Sequence, residues 1–529
     1  MIQSHEANFA GEEAKAVRVP LSALQGQSYD VLVIGGGANG ASTAQHLAAD
    51  GYKVLLVEKG DFASGSSSRS SRLLGNGMHY LAGGHSPWDF ILKPRRFLSG
   101  CRMARFALSS RAQMVKTVPE LLEKVKFCFP IYKDSIYKPW QFDAGMNLLR
   151  LFGTGGVDLG YERITPDEAK RRPLLKWLRD SDKIASVATF DHFQFRWPER
   201  IVVDAALGAE KLGATIRNYT EAVALKQVGD QLWNVVLQDR FDNTRTDINA
   251  RIVMNMAGIW IDQVNSRGPS KVSRKITGTK GIHIAFRLPP ECRGASVTWQ
   301  NRHNEHMYVL PWYDYHYVGP TEVPYEGNLD DIHPTESEIA WVIDEVRHML
   351  PEIPLKREDV LYAWAGVRPW TSGPNAPKGL RIRKLHDLGA EGMPGVMALT
   401  GGPLMSHRSA GADASAAVAR VLKPSGEARP IDYTSNRFKD DGVSPALVNS
   451  EPRISVAEIR HAAAHEHAAT LTDLLFRRVP AGWTEQMGLQ VARTAAEAVS
   501  DILGWDEARV AAEIDGFRKH VQHLHLRGE

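Results

Sequence analysis

Apolar residues recur along the chain with two different periods, and the change between them divides it. Tyr29 to Ile34 is a short run of β-forming residues, Val54 to Val57 is a second, and between them Ala41, Ala44, Leu47 and Ala48 repeat at helical spacing. That order predicts strand, turn, helix, strand. Residues 199 to 219 predict a further helix and strand, Arg251 to Gly258 an apolar strand closing in a small-residue turn, and Gly395 to Gly402 a strand ending in a glycine pair before a small-residue helix from Ala410 to Leu422. From about Lys280 to Val323 the period falls to two, as in GIHIAFRL and MYVLPWYDYHYVGPTEV, which predicts an antiparallel sheet with one face turned to a ligand. Residues 335 to 350 predict an amphipathic helix, and Ala-rich amphipathic runs over 455 to 520 predict a small helical domain.

The first turn carries Gly35-x-Gly37-x-x-Gly40. Gly35 permits the tight turn, Gly37 lets the backbone approach a pyrophosphate, and Gly40 lets the helix pack on its strand, while the helix N-terminus offers free N–H groups to the anion. Glu58 follows Gly37 by 21 residues. An acid there bonds ribose hydroxyls and repels a ribose phosphate, so a dinucleotide fold is expected and NADP is disfavoured. The fold class is therefore α/β, with a Rossmann-like domain, an antiparallel-sheet substrate domain and a C-terminal helical domain. A net charge of +3 over 529 residues gives no argument for nucleic acid, although it leaves room for a basic face toward an anionic substrate or lipid. Cys101, Cys128 and Cys292 are widely spaced without a CxxC, so a disulfide framework is not expected and a reducing, cytoplasmic setting is. Residues 1 to 28 read as a flexible arm without the apolar core of a leader, and no uninterrupted apolar stretch reaches the roughly 18 residues of a spanning helix.

After the second strand come Ser66-Ser67-Ser68-Arg69-Ser70-Ser71-Arg72 and then Gly75-Asn76-Gly77-Met78-His79-Tyr80-Leu81. Together with the glycine motif, this stretch resembles the FAD-dependent glycerol-3-phosphate dehydrogenase family, onto which residues 29 to about 520 can be laid. The resemblance implies FAD as cofactor, with Ser67, Ser70 and Ser71 on the flavin and the turn through His79 and Tyr80 bordering the substrate. It implies the same cofactor role for the turn at Gly258 and for Gly401, Gly402 and Leu404. The small-residue helix after that pair would aim its positive end at the flavin pyrimidine. The C-terminal helices resemble the helical cap of the same family. The implied division is an arm (1–28), an FAD-binding domain in three pieces (29–85, 190–275 and 360–425), a substrate or cap domain (86–189 and 276–359) and the helical domain (430–529).

Within this frame Lys280-Gly-Ile-His283 matches a turn whose histidine lies at the substrate hydroxyl, so His283 is the candidate base, an imidazole titrating near working pH. Arg368 in GVRP matches the arginine that holds substrate phosphate, Arg381 a second one less securely, and Arg200 and Arg408 also fall at family positions. Two positions depart. His79 stands where the family has an arginine, and Pro403 where it has a lysine. The expected reaction is oxidation of a secondary alcohol of a polyol phosphate of the glycerol 3-phosphate type. A tetritol (erythritol) phosphate with a rewired pocket, an amine-oxidising flavoenzyme of the same fold and a non-catalytic flavin module are the alternatives. The resemblance further implies quinone as electron acceptor and a peripheral place on the inner face of the cytoplasmic membrane; a homodimer is left open. Residues 86 to 118, with Trp88, Phe90, Ile91, Leu92, Lys93, Arg95 and Arg102, fit either a segment resting on anionic lipid or a packed helix with a basic outer face. His461, His465 and His467, and His520, His523 and His525, are expected on solvated helix faces. No metal is expected, because neither group has carboxylate or cysteine partners at metal spacing.

Overall fold

A computed structural model describes residues 18–81, 94–374, 376–440 and 442–525. Its first sheet has eight strands. Ser28–Ile34 lies at the centre, parallel to Val54–Val57 on one side and to Arg245–Asn255 on the other, with Thr215–Arg217 and Val396–Thr400 continuing the parallel order outward. The helices Ala38–Ala49, Pro198–Lys211 and His407–Ala419 cover one face, burying Val31, Val33, Leu56 and Met254 against Ala41, Leu47, Val202 and Ala414. On the other face Leu32, Ile34, Leu55 and Val253 join a core that includes Trp233 and Val235 of an antiparallel hairpin. Burial on both faces explains why these strands read as unbroken apolar runs and not as alternations.

The second sheet is antiparallel, with Val297–Gln300, His306–Trp312, Tyr315–Gly319 and Ile276–Phe286 in order. Here the structure corrects the expected division. Val360–Thr371, assigned by sequence to the flavin-domain pieces, pairs along its length with Ile276–Phe286, from Ile276 opposite Thr371 to Phe286 opposite Val360. Its apolar run gave no period from which to choose a sheet. A third, four-stranded sheet joins Leu73–Leu74, Leu122–Tyr132, Glu162–Ile164 and Ile184–Phe195, so the boundary expected at residue 190 falls inside a strand.

The C-terminal part of the expected arm, 1–28, is corrected by the structure. Residues 1–17 lie outside the described residues, but Leu21 and Leu24 are buried, and Arg18 donates to the Asn218 carbonyl at 3.1 Å and pairs with Asp239. The helix Pro94–Thr117 buries Cys101, Ala104 and Leu108 and exposes Arg95, Leu98 and Arg102; Trp88, Phe90, Ile91, Leu92 and Lys93 lie outside the described residues. Among the described residues no helix is long and apolar enough to cross a membrane.

The C-terminal helices, including Val456–His465, Ala492–Leu503 and Glu507–His525, pack Phe476, Trp483 and Phe517 into one core with Trp312, Tyr315, Tyr317 and Trp364 of the antiparallel sheet. Beneath them runs a buried ionic seam. Asp61, just past Glu58, bonds Arg478 at 2.8 Å and Arg477 at 2.6 Å, while Arg200 bonds Asp204 at 2.7 Å and Glu466 at 2.7 Å. Two of the six noted C-terminal histidines are not on solvated faces: His467 is buried beside Glu210 at 3.0 Å, and His525 stacks on Phe476.

Candidate functional site

The glycine motif sits where the central strand hands over to its helix. Gly35 has φ of +110°, and a Cβ there would stand 2.6 Å from the Met256 carbonyl oxygen of the neighbouring strand. A Cβ on Gly40 would overlap the Gly35 carbonyl oxygen, so the helix cannot pack with any larger residue. Gly37 precedes the helix, and the first helical amide, that of Ala38, donates to Ser67 Oγ at 3.0 Å. The serine loop thus reaches the helix N-terminus. Glu58 accepts from the Gly36 amide at 2.6 Å and from the Gly60 amide at 2.9 Å. Burial pushes its pKa up, and these two donors pull it back down.

Two further candidate cofactor turns lie just past the ends of strands on the same side of the central sheet, after Arg245–Asn255 and Val396–Thr400. Gly258 opens its turn at φ of +58° with free space where a Cβ would lie. Gly401 and Gly402 have φ of +70° and +89°, and Asn39 of the glycine-motif helix donates to the Gly401 carbonyl at 3.3 Å. Leu404 opens a single turn, Leu404–Ser406, that runs into the helix His407–Ala419. Ser70 Oγ accepts from the Arg72 amide at 3.1 Å. A cleft of about 620 Å³ runs beside Glu58 and Ser66, past Arg69, Trp260 and Val367, to Phe517. Residue types and placement fit a dinucleotide: amides at a helix start, an acid at the end of the second strand, and two positive-φ glycine turns facing a polar loop.

The serine loop also touches the antiparallel sheet. Ser66 Oγ donates to the Val367 carbonyl at 2.7 Å, and a Cβ on Gly366 would stand 2.6 Å from the Arg69 carbonyl oxygen. Ser71 Oγ lies 3.1 Å from His283 Nε2. The His283 ring is buried, stacks on Trp364 at 4.7 Å, and leaves Nδ1 without a partner. Its expected titration near neutrality is corrected here. Burial, with the charges of Arg368 and Arg72, pushes its pKa well below the ordinary 6.5, so the imidazole is neutral at working pH.

Arg368 stands on the neighbouring strand opposite Thr279, four ladder positions from the pair His283–Trp364 and two beyond the pair Gly281–Gly366. A Cβ on Gly281 would stand 2.6 Å from one guanidinium nitrogen of Arg368, so the glycine leaves the space the arginine uses. Gly281 and His283 are two apart in one strand and share a face. Arg368 donates to the Thr321 carbonyl at 3.2 Å and lies 5.9 Å from the Trp370 ring centre. Arg381 covers the same ring at 4.6 Å, is exposed, and pairs with Glu322. Burial raises the Tyr80 pKa and the Arg381 charge opposes it, which brings Tyr80 into this neighbourhood. His79 lies in the short helix Met78–Leu81; its side chain is outside the described residues.

Several neighbours were not legible in the chain. Tyr308 bonds Ser71, Tyr317 donates to the Ser71 carbonyl at 2.9 Å, and Glu322 faces both arginines. Their alternation predicted the sheet, but no signal in the sequence distinguished one aromatic from another. Arg383, two residues past Arg381, flanks Gly402 and bonds Ser409 Oγ at 2.6 Å. Only its aliphatic stem lies against Gly402, and its guanidinium is engaged by Ser409, the Ser406 carbonyl and Asp413. Two other arginines are engaged elsewhere: Arg408 bonds Thr117 at 2.8 Å, and Arg200 belongs to the ionic seam.

Residues 30–424 match the model of the family described as FAD dependent oxidoreductase, and residues 433–510 that of the C-terminal domain of alpha-glycerophosphate oxidase. A glycerol-3-phosphate dehydrogenase of Synechocystis is 27% identical over 94% of this chain and 97% of its own. The human mitochondrial glycerol-3-phosphate dehydrogenase is 26% identical, over 95% and 74%. Among solved structures, the glycerol-3-phosphate dehydrogenase of Bacillus halodurans complexed with FAD superposes with a TM-score of 0.71 over 95% of this chain and 96% of that one, at 17% identity. The L-alpha-glycerophosphate oxidase of Mycoplasma pneumoniae with FAD bound gives 0.57 over 78% and 100%, at 16% identity. The chain belongs to the FAD-dependent oxidoreductase family, as a divergent member of its glycerol-3-phosphate dehydrogenase group, and is an FAD enzyme acting on CH–OH donors.

Proposed function

We propose that the protein oxidises a secondary alcohol of a polyol phosphate, of the glycerol 3-phosphate type, to the ketone. The observation that carries this reading is the shared face of His283 and Arg368, one a neutral buried imidazole and the other a guanidinium held beside it over Gly281. Arg368 would grip the phosphate with charge-assisted bonds, and Arg381, released from Glu322, would add a second. An anion on Arg368 offsets the charge that depresses His283 and raises its basicity as substrate binds. His283 would then hold the hydroxyl proton, with Ser71 fixing the ring from the flavin side. Tyr80 and His79 would border the substrate. FAD, when bound, supplies the hydride acceptor.

The cofactor roles follow the same geometry. Gly35, Gly37 and Gly40 would admit the pyrophosphate, Glu58 the ribose, and Ser67, Ser70, Gly258, Gly401, Gly402 and Leu404 would line the rest of the FAD site. Within this class a four-carbon tetritol phosphate is a second reading, because His79 and Pro403 stand where the family has cations, which would rewire the pocket. An amine-oxidising reading would use Arg368 for a carboxylate but leaves the His283–Ser71 pair without a task. Quinone is the proposed acceptor. Exposed Leu98, Trp140 and Leu151, with Arg95, Lys138 and Arg150 near them in the chain, support a peripheral membrane contact.

Steady-state assays with a soluble quinone analogue, comparing glycerol 3-phosphate, erythritol 4-phosphate, glycerol and glycine, test this reading. Turnover confined to the phosphates is expected. Turnover of glycine alone would replace it.

A further inference from the structure

The six C-terminal histidines were set aside as metal ligands because no partner lies near them in sequence. The fold removes that ground for one of them. His523, near the end of the last helix, meets a loop almost two hundred residues away, and its Nε2 lies 2.6 Å from Asp331 Oδ1. The same carboxylate oxygen lies 3.1 Å from His333 Nδ1. The ligating atoms of Asp331, His333 and His523 all fall within 4.8 Å of one another, and among the described residues this is the one grouping of three such side chains.

We propose that Asp331, His333 and His523 bind a divalent transition metal ion of the zinc type, which clips the last helix to the loop before Glu336–Met349. Two imidazoles and one carboxylate are a zinc donor set, and hard cations such as magnesium prefer oxygen alone. Four-coordinate zinc holds its N and O ligands about 2.0–2.2 Å away, and so about 3.3 Å from each other. The two contacts to Asp331 are already close to that spacing, so rotation of partly exposed side chains completes the site, with water at the fourth position. The loop is fixed beforehand. Arg69 donates to the Ile332 carbonyl at 3.0 Å, and Tyr325 donates to the Asn328 carbonyl at 2.9 Å. Metal binding therefore loses little entropy in ordering the backbone. Asp330 and Phe517, neighbours of these ligands in loop and helix, line the cleft beside Glu58, so the clip would close one lip of that cleft.

The test uses the full chain loaded with FAD and stripped of metal by a chelator. Cobalt(II) is titrated by equilibrium dialysis with visible spectra, and thermal melts are recorded with and without zinc. Tight binding of a single cobalt per chain and a zinc-dependent rise in Tm are expected for the wild type. Loss of an outer-shell partner typically weakens a metal site by about 10–100-fold, so removing a ligand in His523→Ala or His333→Ala should weaken it by at least about tenfold and abolish the Tm rise. Both side chains are partly or largely exposed, so the metal-free melts of these variants should match the wild type. His461 and His465, whose rings lie 4.7 Å apart on another helix, are the obvious source of adventitious binding. His461→Ala should change nothing. Cobalt affinity equal in wild type and His523→Ala, or a site lost in His461→Ala instead, would overturn the proposal.

Discussion

His283 and Ser71 meet at 3.1 Å across the seam where the serine loop touches the antiparallel sheet. In the proposed site Ser71 belongs to the cofactor side and His283 to the substrate side, so this distance would fix how the two halves face each other. His283→Asn should lower kcat by roughly 10²–10⁴, the usual contribution of a positioned base. FAD content should be unchanged. Ser71→Ala should cost less and shift the pH profile of kcat, since it alters the bond to the ring without removing the base.

Arg368 is the proposed phosphate anchor. A hydrogen bond to a charged group contributes about 1.5–3 kcal/mol, so Arg368→Ala should reduce kcat/KM for a polyol phosphate by roughly 10–100-fold or more, mainly through KM. Activity on the unphosphorylated polyol should barely move. Gly281→Ala offers a second check, because its Cβ would press at 2.6 Å both on the same guanidinium and on the Thr321 carbonyl oxygen that the guanidinium bonds. It should mimic Arg368→Ala in direction; wild-type KM values in both variants would remove Arg368 from the anchor role.

How much of this was readable in the chain differs between the two halves of the site. Gly35, Gly37, Gly40 and Glu58 announce themselves, because a parallel-sheet turn over an anion needs those residue types at a fixed local spacing. His283 and Arg368 were found only by resemblance. The reason they share a face is the register that sets Gly281 opposite Gly366, and register between strands about 80 residues apart leaves no local trace. The same limit hid the place of Val360–Thr371 and the meeting of His523 with Asp331. The depressed titration of His283 was also beyond the sequence, since it depends on how deeply the fold buries the ring.

Buried histidines set the acid limb of stability. Burial pushes His316 from 6.5 to about 4, and His407 and His525 to about 3. In this window the unfolded chain binds more protons than the folded one, so stability is complete above about pH 6.5 and falls as the pH drops toward 4. Thermal melts should show a plateau above pH 7 and a progressive fall in Tm from pH 6 to 4. His316→Gln should flatten part of that slope.

Asp61 ties the flavin domain to the C-terminal helices. Burial opposes its charge, but Arg478 and Arg477 outweigh burial and hold the pKa at about 2. Its contribution is therefore present above about pH 4 and lost only below it. Asp61→Asn leaves two guanidinium groups short of a counter-charge, and breaking a buried pair in this way costs about 3–5 kcal/mol. Denaturant unfolding should show that loss. A change within error would mean that the seam is solvated.

Gly40→Ala should abolish FAD loading or folding, because its Cβ would overlap the Gly35 carbonyl, whereas Gly258→Ala meets no protein atom and should still fold, bearing the strain of positive φ, about 1–3 kcal/mol, with FAD held more weakly where its Cβ enters the proposed cofactor lining. The bound-flavin absorbance of purified protein, read with its thermal melt, separates the two variants.

Anaerobic stopped-flow mixing of the FAD-loaded protein with polyol phosphates tests the proposed reaction itself. Rapid bleaching of the flavin by glycerol 3-phosphate or a four-carbon homologue, slow or absent with the parent polyols and lost in His283→Asn, is the expected result. A flavin that no polyol phosphate bleaches, or one bleached equally by glycerol and its phosphate, would contradict it.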